Sequence, residues 1–521
     1  MKENKALVKE NKYKKIKSSF LEKIYELFFK ENIKKESVFF TFITLIFYMI
    51  IICISCYYHE AWEDESQAWL IARDLSPIGI IKQMRFEGHS CMWHFMLFPF
   101  AKLGLPFDLI KIISILASLI TGYLILTKSP FNRITKIAIL FSSTFLYYMP
   151  VIVRPYSLIP LLVVIISIMN ENKNKYPIAY GVVIAILANI HVLMVPFAGM
   201  LFLYGYAIPF FTERKKLNKT EKKRFYIGSI IAVVGILLMC AQAIAGYIFS
   251  IVKDVDNTVT KLEMIDIFIK KFVYYLLGVK YIIYSNIIVI TTFSIIAIHS
   301  IFISRKQGTI FWSTFIFWMI VHIFVWRMIL NQRIAMLFIW LVYYAWNYRY
   351  DIDYNDLKNK KIYFIFSYAI TFLLVLYFLF SIENTYKVIE KEIQEPYCGG
   401  KDVAEYIIKN ANENSVILTN MSEYLSTVVA YTDGYQFEFY EVLGKRNFTF
   451  KNYDKIFKKD KKALDEAIEK YENREKYILF KLEALNLEEY IKKNPEIEQK
   501  AELLYQTSGI GNGTFYLWKV K

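Results

Sequence analysis

Residues 37–58 read SVFFTFITLIFYMIIICISCYY, a run with no charged side chain. About 20 apolar residues, rising ~1.5 Å each, cross a hydrocarbon core roughly 30 Å thick. This run is therefore long enough to be a first membrane span. Residues 2–36 before it hold eleven Lys and six Glu, and positive charge stays on the cytoplasmic side. The basic segment 1–36 is accordingly expected inside. The run ends in Cys56, Tyr57 and Tyr58 rather than small residues, so a cleavable signal peptide is not expected.

Composition extends the same argument to the whole chain. Its 521 residues are 56% hydrophobic and 17% aromatic against 21% charged, beyond the usual balance of a soluble enzyme. The 42 Phe and 40 Tyr exclude a disordered chain. The net charge of +16 is unevenly placed: residues 383–521 hold 21 basic and 24 acidic residues, and residues 1–382 hold 42 and 23. Positive charge thus sits in short loops of the hydrophobic part, a topology signal and not a nucleic-acid footprint. The 5 cysteines make no disulfide framework. Cys53 and Cys56 have CxxC spacing, but they lie in an apolar run with no second pair, and no metal or redox role is expected.

Further charge-free runs lie at 112–127, 137–153, 155–170, 177–212, 225–252, 281–304, 307–326, 334–348 and 362–382. The run 177–212 is too long for one helix and stands between two basic loops, so it must cross twice with a break near His191. The count is about eleven spans. Residues 88–104 look hydrophobic, but their apolar core from Phe95 to Ala101 is too short to cross. Counting them would also put Lys128, Arg133 and Lys136 outside, so a re-entrant or interfacial segment is expected on the outer face. The fold class is mainly α, a polytopic transmembrane bundle (residues 37–382) with outer loop 59–106. Residues 383–521 should form an α/β domain outside the membrane. Short strands are expected at 415–420, 436–440, 448–451, 476–481 and 514–520, with helices at 401–411 and 461–471. The predicted location is the plasma membrane, multi-pass, with the N-terminus cytoplasmic and the C-terminal domain extracytoplasmic.

Charges beside a membrane are costly, so their positions are informative. The loop after the first span holds Glu60, Glu63, Asp64, Glu65, Arg73, Asp74, Arg85, Glu87, His89 and His94, interleaved with Trp62, Trp69 and Trp93. Other polar residues fall at expected outer span ends: Arg154 with Tyr156, Asn189 with His191, and Arg327 with Asn331 and Arg333. Each alone can be a snorkelling anchor or a packing contact, and the loop can be an amphipathic connector. Together they set acids, histidines and arginines on one membrane face, which suits an anionic lipid substrate. His299 and His322 lie inside spans and read as packing residues.

The runs WEDESQAWLIARD (62–74) and EGHSCMW (87–93) resemble the first outer loop of GT-C-type glycosyltransferases. The likeness is to the bacterial relatives of protein O-mannosyltransferases and of the lipid A aminoarabinose transferase. The stretches 154–158 and 189–191 also resemble recurrent features of these proteins. Ser90 stands where the resemblance leads one to expect proline, and Gln332 where histidine is frequent. The resemblance implies transfer of a sugar from a polyprenyl-phosphate-linked donor to a hydroxyl or amine of a lipid, glycan or protein acceptor on the outer face of the membrane. It implies Asp64 and Glu65 as the catalytic acidic pair. Glu63, Glu87, His89, Arg154, Tyr156, His191, Arg327 and Arg333 are candidates for substrate binding. The cofactor is unknown; a divalent cation is possible, its ligands unassigned.

The chemistry needs a base for the acceptor hydroxyl and cationic groups for charge on the leaving phosphate. A transporter or flippase of lipid-linked sugars would also need many spans and cationic pockets. Transporters place ionisable groups near the bilayer midplane and often carry internal repeats, neither of which is seen here. A non-catalytic envelope assembly protein would use its outer domain to bind a partner, and about eleven spans exceed what anchoring requires.

Overall fold

The computed structural model describes residues 36–87, 89–213, 215, 217–249, 260–277, 285–324, 331–351, 360–419, 425–432, 437–441, 444–445, 466, 468–482, 491–492, 495–507 and 514–521. The basic segment before Glu36, the strand expected at 448–451 and most of the helix expected at 461–471 lie outside them. The chain is mostly helical, with a small C-terminal sheet. Among the described residues, five helices are long and apolar enough to cross a membrane: Val38–Tyr58, Phe107–Lys128, Val192–Thr212, Lys219–Gly246 and Tyr368–Gln394. Three shorter apolar helices, Pro155–Asn170, Pro177–Ile190 and Ile287–Phe302, stand beside them. The Val38–Tyr58 helix turns Thr41, Thr44, Tyr48, Ile52, Ser55 and Cys56 inward and exposes Val38, Phe39, Phe42, Phe47, Ile50 and Ile54. Its hydroxyl-bearing side faces the protein and its apolar side faces out, the reverse of a soluble helix.

Three features depart from the sequence-based expectation. The run 137–153 is not one helix: Arg133–Leu140 gives way to a single π-helical turn, Thr144–Tyr148, and then to turns. Irregular backbone buried among helices needs hydrogen-bond partners, and neighbouring helices supply them. Tyr48 Oη donates to the Phe145 carbonyl at 2.6 Å, Ser114 Oγ donates to the Pro150 carbonyl at 2.7 Å, and Ser143 N–H donates to Ser381 Oγ at 3.3 Å. A 17-residue helix, Lys261–Leu277, forms where no span or helix was expected, carrying Glu263, Asp266, Lys270 and Lys271 along an otherwise apolar sequence. The boundary expected at 382/383 falls inside the continuous helix Lys360–Gln394, because the charged residues that follow Ile382 continue the helix rather than end it. The 177–212 run does break at His191, whose extended backbone separates Pro177–Ile190 from Val192–Thr212.

Helices Pro177–Ile190 and Lys219–Phe249 approach through small residues. A Cβ on Gly181 would lie 2.1 Å from the Gly228 carbonyl oxygen, and one on Gly228 would lie 2.4 Å from that of Pro177. Asn189 Nδ2 then donates to the Gly235 carbonyl at 2.7 Å across the same contact. Without apolar transfer as a driving force inside lipid, close backbone packing and interhelical hydrogen bonds are what hold such a pair.

Among the described residues the C-terminal sheet has six strands: β1 (Val416–Thr419), β2 (Glu438–Glu441), β3 (Gly444–Lys445), β4 (Lys476–Leu482), β5 (Ala501–Gln506) and β6 (Thr514–Val520), in order β3-β2-β1-β4-β6-β5. β1 runs parallel to β2 and β4, and the other pairings are antiparallel. Strand alternation divides its side chains between two cores. Val416, Leu418, Ile478, Phe480 and Trp518 form a separate cluster, whereas Ile417, Tyr477, Leu479, Phe515 and Leu517 join the core of the helical part. The central strands β1, β4 and β6 are thus packed against the helices by one face.

The glycine contact makes a contrast that can be measured. Gly228→Ala should lower stability by about 1–3 kcal/mol, the usual cost of overpacking. Gly199→Ala, whose Cβ would meet nothing within 4 Å, should be neutral or stabilise by about 0.5–1 kcal/mol. Thermal unfolding of both proteins in detergent would decide, and equal midpoints would contradict the packing argument.

Candidate functional site

Glu63, Asp64 and Glu65 begin the Glu63–Asp74 helix, where carboxylates suit the positive end of the helix dipole. Successive helical residues project about 100° apart, and the three acids accordingly reach three different partners. Glu65 is fully buried and turns into the helical core. Its Oε1 accepts from Val153 N–H at 2.6 Å, and its Oε2 accepts from Trp62 N–H at 3.0 Å and from His59 Nε2 at 3.2 Å. The Trp62 contact is the returning arm of a capping box. Glu63 points the other way, into an ion pair with Lys481 of β4. Asp64 lies between them, its side chain 35% exposed, paired with the Arg154 guanidinium.

Arg154 reaches Asp64 because Glu65 holds the preceding residue. The Val153 hydrogen bond clamps an extended stretch in which Arg154 has φ −128° and ψ 173°. Pro155 then starts a short 3₁₀ turn, Pro155–Leu158, that leads into the Ile159–Asn170 helix. Arg154 also lies over the rings of Trp62 and Tyr156, at 5.9 and 5.4 Å from their centroids.

A small, partly open cavity lies beside this pair. Asp64, Glu87, His89, Arg154 and His191 line it, together with Gln67, Ser90, Trp93 and His94. Gln242, from the Lys219–Phe249 helix, accepts from Cys91 N–H at 3.0 Å and steadies the loop that carries His89 and Ser90. Tyr156 is buried and packs on His191 with ring centroids 4.8 Å apart; the His89 ring lies 5.8 Å from the same histidine. Arg333 is buried near enough to act on His191 electrostatically. Arg327 lies outside the described residues.

The histidines are tuned toward their neutral forms. Burial above all, then His89, Arg333 and Arg154, holds His191 well below the usual imidazole range. Its Nδ1 accepts from Leu193 N–H at 3.2 Å, so the neutral ring carries its proton on Nε2. That Nε2 is buried and has no hydrogen-bond partner, and neither has the buried Tyr156 hydroxyl. His191 lines the cavity, and its unpaired Nε2–H costs about 1–3 kcal/mol unless a ligand meets it. Burial, with Arg154 adding to it against a Ser90 backbone contact, also holds His94 down at about 4.

The expected residues therefore separate into groups. Asp64, Glu87, His89, Arg154 and His191 converge on the cavity, with Tyr156 and Arg333 close behind. Glu63 and Glu65 do not reach it; the expected catalytic pair is divided, with Asp64 alone facing the open space. Sequence reading missed His59, Gln67, Tyr147 and Glu392. His59 sits between two carboxylates, with Nδ1 3.1 Å from Glu392 Oε1 and Nε2 3.2 Å from Glu65 Oε2. Tyr147 donates to the same Glu392. His59 lay directly before the acidic loop and was legible as a candidate. Glu392 lies 333 positions away and left no signal. Among the described residues no group of three His, Cys, Asp or Glu is placed to hold a metal ion.

No protein-family model matches the chain, and no curated protein matches its sequence.

The buried histidine gives stability a pH dependence of definite sign. Burial by itself would push the His59 imidazolium down; Glu392 and Glu65 more than reverse this and hold it up at about 10. A group with a raised folded pKa contributes fully below its unfolded value of about 6.5 and loses that contribution as pH climbs through the folded one. The unfolding midpoint should fall between pH 7 and 10, and His59→Gln should flatten that slope while lowering the midpoint at pH 7. An unchanged slope in the variant would show that His59 is not the group responsible.

Proposed function

We propose that the chain is a membrane glycosyltransferase of the GT-C type, moving a sugar from a polyprenyl-phosphate-linked donor to an acceptor hydroxyl at the outer membrane face. The observation that carries the reading is the cavity wall, where one partly exposed carboxylate, Asp64, stands beside Arg154 and the unpaired His191 Nε2. A base next to fixed donors is what displacement at an anomeric carbon requires. The acceptor oxygen bonds to the sugar carbon as its proton passes to the Asp64 carboxylate. The carbon–oxygen bond to phosphate breaks, and the phosphate ester leaves with the bonding pair. Arg154, Arg333 and the His191 Nε2–H group meet the charge gathering on it, a contribution larger in a desolvated site than in water.

An apolar cavity adds support for a lipid-linked donor. Ile334, Leu337, Phe338 and Leu341 line it, on the same Asn331–Asn347 helix that carries Arg333 near its beginning. One helix therefore presents a cation near one end and an apolar wall along its length, as a phosphate headgroup with a long hydrocarbon tail demands.

The proposed orientation sets the N-terminus inside and both the acidic helix and the sheet outside, at the plasma membrane. After replacement of the native cysteines, Lys82→Cys and Lys409→Cys, both at exposed positions, should react with an impermeant thiol reagent on intact cells. Asn218→Cys should react only after permeabilisation. The reverse pattern would invert the topology and remove the site from the outer face.

Purified protein should transfer label from a radiolabelled polyprenyl-phosphate sugar to a component of membrane extract. Asp64→Asn should cut turnover by about 10²-fold or more, the scale of general-base loss, with little change in donor binding. Arg154→Lys and Arg333→Lys should also lose turnover, because lysine keeps the charge without the two-pronged geometry. Wild-type rates in a folded Asp64→Asn protein would exclude it as the base.

A further inference from the structure

We propose that the C-terminal sheet domain is a working part of the cavity: Lys481, assisted by Ser426 and Thr427, holds the first turn of the Glu63–Asp74 helix so that Asp64 faces the substrate. The consequence for catalysis rests on the transferase reading above; the contact itself does not.

Strand parity is the starting point. Tyr477, Leu479 and Lys481 share one face of β4, and Tyr477 and Leu479 belong to the core shared with the helices. Lys481 continues that inward row with its side chain entirely buried, an expensive place for an ammonium unless it is paired. Its carboxylate partner is Glu63, whose side chain is 22% exposed. Beside this pair, Ser66 Oγ lies 2.8 Å from Ser426 Oγ and 3.2 Å from Thr427 Oγ1, and Ser426 Oγ is 3.2 Å from the Glu63 carbonyl. Side chains of the sheet domain thus reach both the side chain and the backbone of the first helical turn.

The other side of that turn is held as firmly. Glu65 is fixed by Val153, Trp62 and His59. With Glu63 drawn toward the sheet and Glu65 toward the helical core, the residue between them has one direction left, toward Arg154 and the cavity. A buried ion pair is a poor source of stability but a good source of definite geometry, because each charge tolerates few alternative positions. Lys481 is therefore a positioning residue, acting on Asp64 through Glu63 and the backbone that joins them.

Full-length Lys481→Met, Lys481→Arg and Glu63→Gln/Lys481→Met proteins provide the test. In Lys481→Met, kcat should fall about 10- to 100-fold, the cost of a displacement near 1 Å, with the donor KM within about twofold. Lys481→Arg should recover most of that loss. The double variant removes both charges, so it should regain thermal stability while kcat stays low. Recovery of kcat together with stability would reduce the pair to a structural role and overturn the proposal.

Hydrogen exchange of peptides covering 62–75 reads the same contact without any transfer assay. It should speed up in Lys481→Met, remain near wild type in Lys481→Arg, and stay unchanged for the span peptides. Exchange at 62–75 that is the same in Lys481→Met as in wild type overturns the proposal. If wild-type protein transfers no sugar while the exchange difference is present, the transferase reading fails and the latch stands.

Discussion

A single imidazolium, His59, joins three parts of the chain that are remote in sequence. It follows the Val38–Tyr58 helix directly, and its two ring nitrogens meet Glu65 at the start of the acidic helix and Glu392 near the end of the Lys360–Gln394 helix. A buried cation with a carboxylate on each side is costly to form and more costly to break by halves, since removing one partner leaves an uncompensated charge. Lys111 donates to the His59 carbonyl at 2.9 Å, so the backbone at this junction is held as well as the side chain. The placement of the acidic helix, and with it Asp64, depends on this junction.

From there the constraints pass outward in order. Glu65 holds Val153, Val153 sets the extended backbone of Arg154, and Arg154 meets Asp64 at the mouth of the cavity. The irregular stretch before Val153 would be intolerable in lipid. It survives because Tyr48, Ser114 and Ser381 answer its carbonyls and amides. The site is consequently built on broken helices and loop ends gripped by rigid ones, an arrangement that fixes polar groups beside an apolar solvent.

The cavity has unequal sides. One carries the Asp64–Arg154 ion pair, and the other carries His191, which burial holds in its neutral form with one proton on Nε2. The His191 Nε2 on that side has no hydrogen-bond partner within the protein, and a ligand with an oxygen acceptor would satisfy it.

Charge-free length and loop charge were enough to read a helical membrane architecture, the break at His191 and four strands of the C-terminal sheet. Those features depend on local solvent preference and local periodicity, which a sequence displays directly. The gathering of Asp64, Glu87, His89, Arg154 and His191 beside one cavity was foreshadowed by their placement at the ends of apolar runs, where charges are costly. The division of labour among Glu63, Asp64 and Glu65 was not legible. Three adjacent carboxylates are chemically alike in a sequence, and their roles diverge only through partners at Lys481, Arg154 and Val153. The β5 strand, Ala501–Gln506, also escaped notice, because its pairing with β6 and not its own pattern makes it a strand. Sequence determined which groups were present and which solvent each segment prefers; tertiary structure alone decided which acid faces open space, since that depends on contacts across hundreds of residues.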